Sequence, residues 1–314
     1  PWTLPGQEHA VTSSEMFQLP ARPTRALILG GGYIAEDFAT ILSGLGVETT
    51  LLYRGETILN GFDDDIRIHC HDTLAQSGVR IMTGAVLTAI TPTETGYHCP
   101  MSDGRSVDTD LVMLAIGRDP LIAGLGLDAA GVATDERGAI IVDRFSQTNV
   151  PSIYAVGDVT NRVNLTPVAI REGQAFAQTV FHTRPPAVDH ADIATAVFGR
   201  PPVGAVGLTE AQARRSHGRV DIYKTVFRPM KNILADNPQR TLMKLVVDGD
   251  SDRLLGVHIA GPEGPELIQL AAVAVKAGLT KAQWDDACAV HPTAAEELVL
   301  MKEKVAEPER LAMG

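Results

Sequence analysis

The sequence predicts an α/β protein in which an open, mostly parallel-sheet domain is followed by a more β-rich α+β region. Three observations carry this prediction. Residues 25–55, RALILGGGYIAEDFATILSGLGVETTLLYRG, read as strand, glycine turn, helix and strand. Residues 111–120, LVMLAIGRDP, add another apolar strand, ending in glycine and arginine. From DHADIATAVF (189–198) onward the pattern turns β-rich, with VDIYKTVF and LMKLVVDGDSDRLLGVHIAG as its clearest strands.

In chain order, ALIL is a continuous apolar run suited to a parallel strand buried on both faces, and ETTLLY is the next one. The stretch 63–84, DDDIRIHCHDTLAQSGVRIMTG, supplies an acidic helix start, an amphipathic helix, Gly78 as its stop and a short strand. Residues 138–181 are expected to hold two strands, a Gly-Asp turn, and a helix that starts at Thr166 with Pro167 in its first turn. A hairpin at Asp248–Asp252 and helices over 265–277 and 293–304 complete the prediction.

The 314 residues are 45% hydrophobic, enough for two or three domains with a sizeable core. A formal net charge of −11 argues against nucleic acid or an anionic membrane surface as the main partner. No apolar run reaches the roughly 18 residues a membrane helix needs. The opening PWTLPGQEHAVTSSEMFQLP has neither a basic nor an apolar leader region and is not read as a signal peptide. Cys70, Cys99 and Cys288 lack any metal-ligand or CxxC spacing, so free thiols in a cytoplasmic setting are expected and no metal site.

The strongest physical signal is Gly30-Gly31-Gly32-Tyr33-Ile34-Ala35, a G-x-G-x-x-A pattern between predicted strand and predicted helix. Gly30 permits a tight turn, Gly32 lets a pyrophosphate approach the backbone, and Ala35 allows close helix–strand packing. Dinucleotide binding is the reading preferred over a turn that serves packing alone. Where an NAD site has an acidic residue at the end of the second strand, this chain has Arg54. A guanidinium attracts a 2′-phosphate, which favours NADPH. The alternative, an arginine that only caps an exposed strand end, stands beside it.

The segment YAVGDVTNRVNLTPVA places Asp158 at a strand's C-terminal edge and aims the helix start at Thr166-Pro167 toward the same region. On physical grounds alone Asp158 reads equally well as a turn residue. Near the C-terminus, AVHPTAAEEL sets His291 close to Glu296. This is an acid/base arrangement, but Thr293-Ala-Ala-Glu296 is also a capping box.

GGGYIA, AIGR, IYAVGD, LTPVAIREG and HPTAAEE, in this order, resemble the flavin-dependent pyridine-nucleotide disulfide oxidoreductases over nearly the whole chain. ILNGFDDDIR, FRPMKN and HPTAAEELV tilt the resemblance toward the glutathione reductases of bacterial type. The resemblance implies an NADPH-binding Rossmann-like domain at 22–120 and the second half of an FAD domain at 121–188. It also implies a connector at 1–21 and a dimerisation domain at 189–314. It further implies FAD and NADPH as cofactors, oxidised glutathione as substrate and a homodimer as the assembly.

Carried over residue by residue, the resemblance gives Asp158 to the FAD ribityl chain. Thr166, Pro167 and Ala169 fall at the flavin pyrimidine edge, and Tyr33 becomes a gate over the flavin. Arg54 falls to the 2′-phosphate, and Gly117 and Arg118 to the border of the NADPH site. His291 and Glu296 become an acid/base pair acting on the partner subunit's active site. His291 would protonate the leaving glutathione thiolate.

The sequence departs from that pattern in four places. The first FAD motif and the redox-active CxxxxC are not within residues 1–314 and are expected to precede residue 1. The chain alone is therefore expected to be inactive. Asn60 replaces a second basic residue, Glu36-Asp37 replaces Val-Glu with a carboxylate too short for a lysine near the flavin, and Gln174 stands where the animal enzymes of the family have an arginine that touches glutathione. Two rival readings stay open: a non-catalytic NADPH-binding or dimerising remnant, and a related reductase with another disulfide substrate.

Overall fold

The computed structural model describes residues 3–182 and 187–306; the last eight positions of the expected 189–314 domain lie outside the described residues. The chain divides into two compact units, one formed by Gly117–Ala191 and the other built jointly from the segments before and after it.

The joint unit begins with α1 (Ser13–Met16), β1 (Arg25–Leu29), α2 (Tyr33–Gly44), β2 (Glu48–Tyr53), α3 (Asp64–Gln76) and β3 (Arg80–Thr83). These confirm the predicted alternation and the stop at Gly78, whose φ is +98°. Three short strands, β4 (Thr91–Thr93), β5 (Gly96–Pro100) and β6 (Ser106–Thr109), make a separate antiparallel sheet before β7 (Leu111–Leu114). The parallel sheet has the order β3-β2-β1-β7, with Leu27 opposite both Thr50 and Val112.

In the second unit, α4 (Leu127–Ala130) precedes a 3₁₀ turn at Gly157–Thr160, and α5 (Thr166–Phe181) starts where predicted with Pro167 in its first turn. The two strands expected within 138–156 do not form ladders; Thr134–Ile140 and Gln147–Tyr154 are single bridges. Isolated backbone bonds, such as Thr148 N–H to Ile153 O and Ala155 N–H to Ser146 O, are supplemented by side chains. Asp143 Oδ1 accepts from the Phe145 and Gln147 N–H groups, and Thr148 Oγ1 donates to the carbonyls of Val150 and Ile153.

The chain then returns to the joint unit with β8 (Thr195–Val197), β9 (Val203–Gly207), α6 (Glu210–Ser216), β10 (Val220–Phe227), α7 (Met230–Leu234), β11 (Thr241–Asp248) and β12 (Leu254–Ala260). Its antiparallel sheet runs β10-β11-β12-β9-β8, and the β11–β12 turn is the predicted hairpin. Next come α8 (Gly264–Ala277), α9 (Lys281–Asp285) and α10 (Glu296–Leu300). The helix expected over 293–304 is thus only five residues long. Its carbonyls are diverted: Trp284 Nε1 donates to Leu298 O at 2.7 Å and Lys281 Nζ to Met301 O at 2.8 Å, in place of later backbone N–H groups.

One apolar cluster joins the two sheets of this unit. Ile28, Leu51 and Met113 of the parallel sheet, Phe38, Leu42, Cys70 and Leu74 of α2 and α3, and Val197, Val203, Leu242 and Ala260 of the antiparallel sheet belong to it, while the opposite face of the parallel sheet, with Leu27, Leu52 and Val112, packs with Leu87, Ile90 and Met101. A polar pin reinforces the junction. Lys244 of β11 is buried, and its Nζ lies 2.8 Å from Asp63, 2.6 Å from Asp65 and 2.7 Å from Glu210. Burial opposes its charge, but the hydrogen bond and charge of Asp63, with the bonds of Asp65 and Glu210, push its pKa upward.

Candidate functional site

The glycine turn after β1 has the features a dinucleotide requires. Gly30 adopts φ +138°, and a Cβ there would sit 2.2 Å from Ala115 O and 3.3 Å from Ala35 Cβ. A Cβ on Gly32 would meet nothing within 4 Å, so the backbone is open to a close-lying group. Gly32 is also the N-cap of α2 and supplies no side-chain cap, which leaves the amides of Tyr33, Ile34 and Ala35 without a side-chain acceptor. Tyr33 is exposed at 38%. Arg54 follows β2 directly; it is exposed and has no hydrogen-bond or ion-pair partner among the described residues. That unspent guanidinium fits a phosphate, and the nearby Asn60 is exposed but uncharged.

The substituted pair Glu36-Asp37 is engaged within the chain. Glu36 is fully buried; desolvation, aided by the Asp37 charge, raises its pKa to about 8. Burial likewise raises Asp37 to about 6, and its carboxylate accepts from Phe198 N–H at 3.1 Å. Asp37 therefore holds the backbone of the 198–201 loop and pairs with no lysine among the described residues. The sequence had flagged this position as a departure but gave no sign of that partner, which lies 161 residues away.

His291 and Glu296 are brought together. The imidazole Nδ1 lies 2.9 and 3.2 Å from the two Glu296 oxygens, with the histidine side chain 75% exposed and the glutamate 13%. Thr293 Oγ1 accepts from Glu296 N–H at 3.3 Å and donates to Val290 O at 2.7 Å. The expected capping box does not form: α10 starts at Glu296 with Ala295 as its N-cap, only the Thr293 Oγ1 contact of the box is made, and the carboxylate is spent on the histidine. If Nδ1 carries the proton toward Glu296, Nε2 is the basic nitrogen that faces outward. All three cysteines are free. Burial pushes the Cys70 thiol up strongly and the Cys99 thiol to about 11, so neither is a ready thiolate.

In the second unit, Gly157 has φ +73°, and a Cβ on it would lie 3.1 Å from Ala169 Cβ, so turn and helix touch through their smallest residues. Asp158 follows, and its Oδ2 accepts from Arg118 at 2.8 Å. Two residues expected at different cofactors are therefore joined directly, Arg118 being next to Gly117, whose φ is +147°. Thr166 and Pro167 are exposed at the start of α5, which has no side-chain cap. The buried Asn164 Oδ1 just before it lacks a partner. An uncapped helix start beside an orphaned acceptor suits a ligand edge that both donates and accepts, as a pyrimidine-dione does. Gln174 is exposed on the same helix.

Sequence reasoning missed Glu172. Its side chain is 1% exposed and accepts from Gly157 N–H at 2.7 Å, His190 Nε2 at 2.6 Å and Arg162 at 2.8 Å. A glutamate directly before the glycine of REG was visible, but nothing in its spacing pointed to Gly157. Among the described residues no group of three metal-ligating side chains is assembled and no helix is long and apolar enough to cross a membrane.

Comparison with known proteins agrees with these features. Residues 2–173 match the family described as pyridine nucleotide-disulphide oxidoreductase, and residues 193–302 match its dimerisation domain. The chain is 46% identical over 299 residues to a glutathione reductase of Burkholderia cepacia, covering 95% of this chain and 67% of that protein. It is 44% identical over 300 residues to the chloroplastic/mitochondrial glutathione reductase of Pisum sativum, covering 54% of it. A trypanothione reductase of Leishmania donovani is 43% identical and covered to 62%. Among solved structures, the HOCl-induced flavoprotein disulfide reductase RclA of Escherichia coli superposes with a TM-score of 0.88 at 27% identity, over 95% of this chain and 69% of that one.

Proposed function

The chain belongs to the pyridine nucleotide-disulphide oxidoreductases, and from that premise we propose that its residues are the NADPH-binding, flavin-facing and dimerisation parts of a glutathione-disulfide reductase. The reaction is NADPH + H⁺ + glutathione disulfide to NADP⁺ + two glutathione thiols. The observation that carries this reading is the His291–Glu296 pair, in a chain 46% identical to a glutathione reductase. A thiol–disulfide relay needs one group that gives a proton to the departing thiolate and recovers it later. An imidazole held through Nδ1 by a carboxylate, with Nε2 outward, does both.

The family's cofactors are FAD and NADPH. When bound, FAD supplies two-electron chemistry between the nicotinamide and a disulfide. Asp158, Thr166, Pro167 and Ala169 are the residues proposed to hold it. Gly30, Gly32, Tyr33, Ile34, Ala35 and Arg54 hold the dinucleotide. Glu296 fixes the His291 tautomer. The dimerisation domain is proposed to form a homodimer in which His291 serves the partner subunit, in a cytoplasmic setting.

Residues 1–314 contain no CxxxxC. The chain by itself is therefore proposed to bind NADPH in preference to NADH and to show no glutathione-dependent turnover. Calorimetric titration with both nucleotides, followed by an NADPH oxidation assay with oxidised glutathione, tests this. Equal nucleotide affinities sink the Arg54 assignment, and measurable turnover sinks the inactivity. A second reading, a related reductase with a different disulfide substrate, is supported by Gln174 in place of an arginine and by the likeness to a trypanothione reductase.

A further inference from the structure

We propose that Glu172 is a positioning residue that sets the two halves of the flavin-facing site, the Asp158 turn and the start of α5, in register with each other. This rests on the flavin reading above. The argument begins with burial. A carboxylate that is 1% exposed has given up its water and is tolerated only when its lone pairs are filled. Here three donors fill them, from three different parts of the unit: the Gly157 amide, the Arg162 guanidinium and the His190 imidazole, whose Nε2 must carry the proton.

The choice of partners points to orientation more than to general cohesion. Gly157 directly precedes Asp158, so the bonded N–H belongs to the Val156–Gly157 peptide, one peptide before the one that carries the ribityl-facing carboxylate. The Gly157 carbonyl is fixed as well: it accepts from Thr160 Oγ1 at 2.8 Å, and that hydroxyl accepts from Arg162 Nε at 3.1 Å. Arg162 also donates to Ser146 Oγ at 3.1 Å. One carboxylate and its cation thus grip both peptide groups that flank Gly157.

Glu172 sits on α5 three residues after Ala169, the residue whose methyl the Gly157 backbone abuts. A shift of the carboxylate moves the turn along the helix and changes the separation between Asp158 and the amide-bearing start at Thr166. Glu172 itself is buried and does not reach the exposed surface of Thr166 and Pro167, so it acts through the groups it holds.

The test uses the full 314-residue chain and FAD itself. Wild type, Glu172→Gln and His190→Leu are titrated with FAD by flavin fluorescence. The visible circular dichroism of the bound flavin and the deuterium exchange of the Gly157 amide are recorded alongside. Glu172→Gln is expected to weaken FAD binding about tenfold, the loss of a charged hydrogen bond. It should also alter the flavin dichroism band and speed exchange at Gly157. Unchanged affinity and an unchanged band overturn the proposal, whatever happens to the melting temperature, because a purely structural role would leave both untouched once the chain is folded.

A wild-type chain that binds no FAD overturns this proposal, because the Asp158 turn and the start of α5 then form no flavin site by themselves; it leaves the flavin reading standing, since the first FAD motif is not within residues 1–314, and the outcome is visible before any substitution is made. If Glu172→Gln shows no cooperative melt, His190→Leu decides. It has no donor and leaves the carboxylate with Gly157 and Arg162, and binding about threefold weaker supports the proposal while equal binding overturns it.

Discussion

Glu36 should make the stability of the joint unit fall as pH rises, and Glu36→Gln should abolish that fall. The carboxyl is fully buried in the first turn of α2 and is raised to about 8 from an ordinary 4.5. Between those values the unfolded chain has released the proton and the native chain still holds it, so deprotonation favours unfolding. Stability attributable to this group is therefore greatest below pH 4.5, declines as pH rises, and levels off above about 8. Asp37 behaves the same way between 3.8 and about 6, which leaves pH 6 to 8 as the window belonging to Glu36. Across it the slope is about 1.4 kcal/mol per pH unit, or about 3 kcal/mol in total. The glutamine keeps an acceptor for the Arg200 amide and has no proton to lose. Thermal melts followed by far-UV circular dichroism at pH 6, 7 and 8 read the difference. Glu36→Gln should gain about 5 °C over wild type between pH 6 and pH 8, at about 2 °C per kcal/mol for a chain of this size. A difference between the two proteins that stays constant over the window would refute the reasoning, since only a group titrating within it produces a slope.

Arg54→Ala is expected to weaken NADPH binding about tenfold or more while leaving NADH binding unchanged, as read by calorimetry, because only the 2′-phosphate loses a forked donor. Lys244→Met leaves the buried Asp63 carboxylate without its cation, while Asp65 keeps Lys224 and Glu210 keeps Arg214; urea melts should show a loss of about 3–5 kcal/mol, and a loss below 1 kcal/mol would mean water already screens the cluster. His291→Gln should leave the melt and the NADPH affinity unaltered. In a protein that also carries a redox cysteine pair it should lower steady-state turnover with oxidised glutathione by about 10²–10⁴-fold.

The βαβ unit was legible because two apolar strands flank a glycine turn at local spacing, and the hairpin at Asp248–Asp252 because its turn residues interrupt two apolar runs. His291 and Glu296 were legible as a pair for the same reason, five residues apart on one short loop and helix. The sheet of β4, β5 and β6 was not, since β4 is exposed throughout and offers no alternation of apolar and polar residues. The strands expected in 138–156 were not legible because an apolar run does not show that its backbone bonds close tight turns, as Asp143 N–H to Gln147 O and Thr148 N–H to Ile153 O do, with Asp143 and Thr148 side chains added, in place of a ladder. Lys244 and Glu36 were illegible in a deeper sense: their partners Asp63 and the 198–201 loop lie some 160 to 180 positions away, beyond the reach of any local pattern.

The shared core of the joint unit bears on how the chain is made. Ile28, Leu51 and Met113 leave the ribosome early, but Val203, Leu242 and Ala260, which cover the same cluster, follow only after the whole of Gly117–Ala191 has been synthesised. At about 5–20 residues per second, α2 and α3 wait roughly ten seconds for the side chains of the second sheet that complete their cluster. During that interval Phe38, Leu42 and Cys70 are uncovered, so the nascent protein is at its most vulnerable with its first sheet already paired and its second not yet translated.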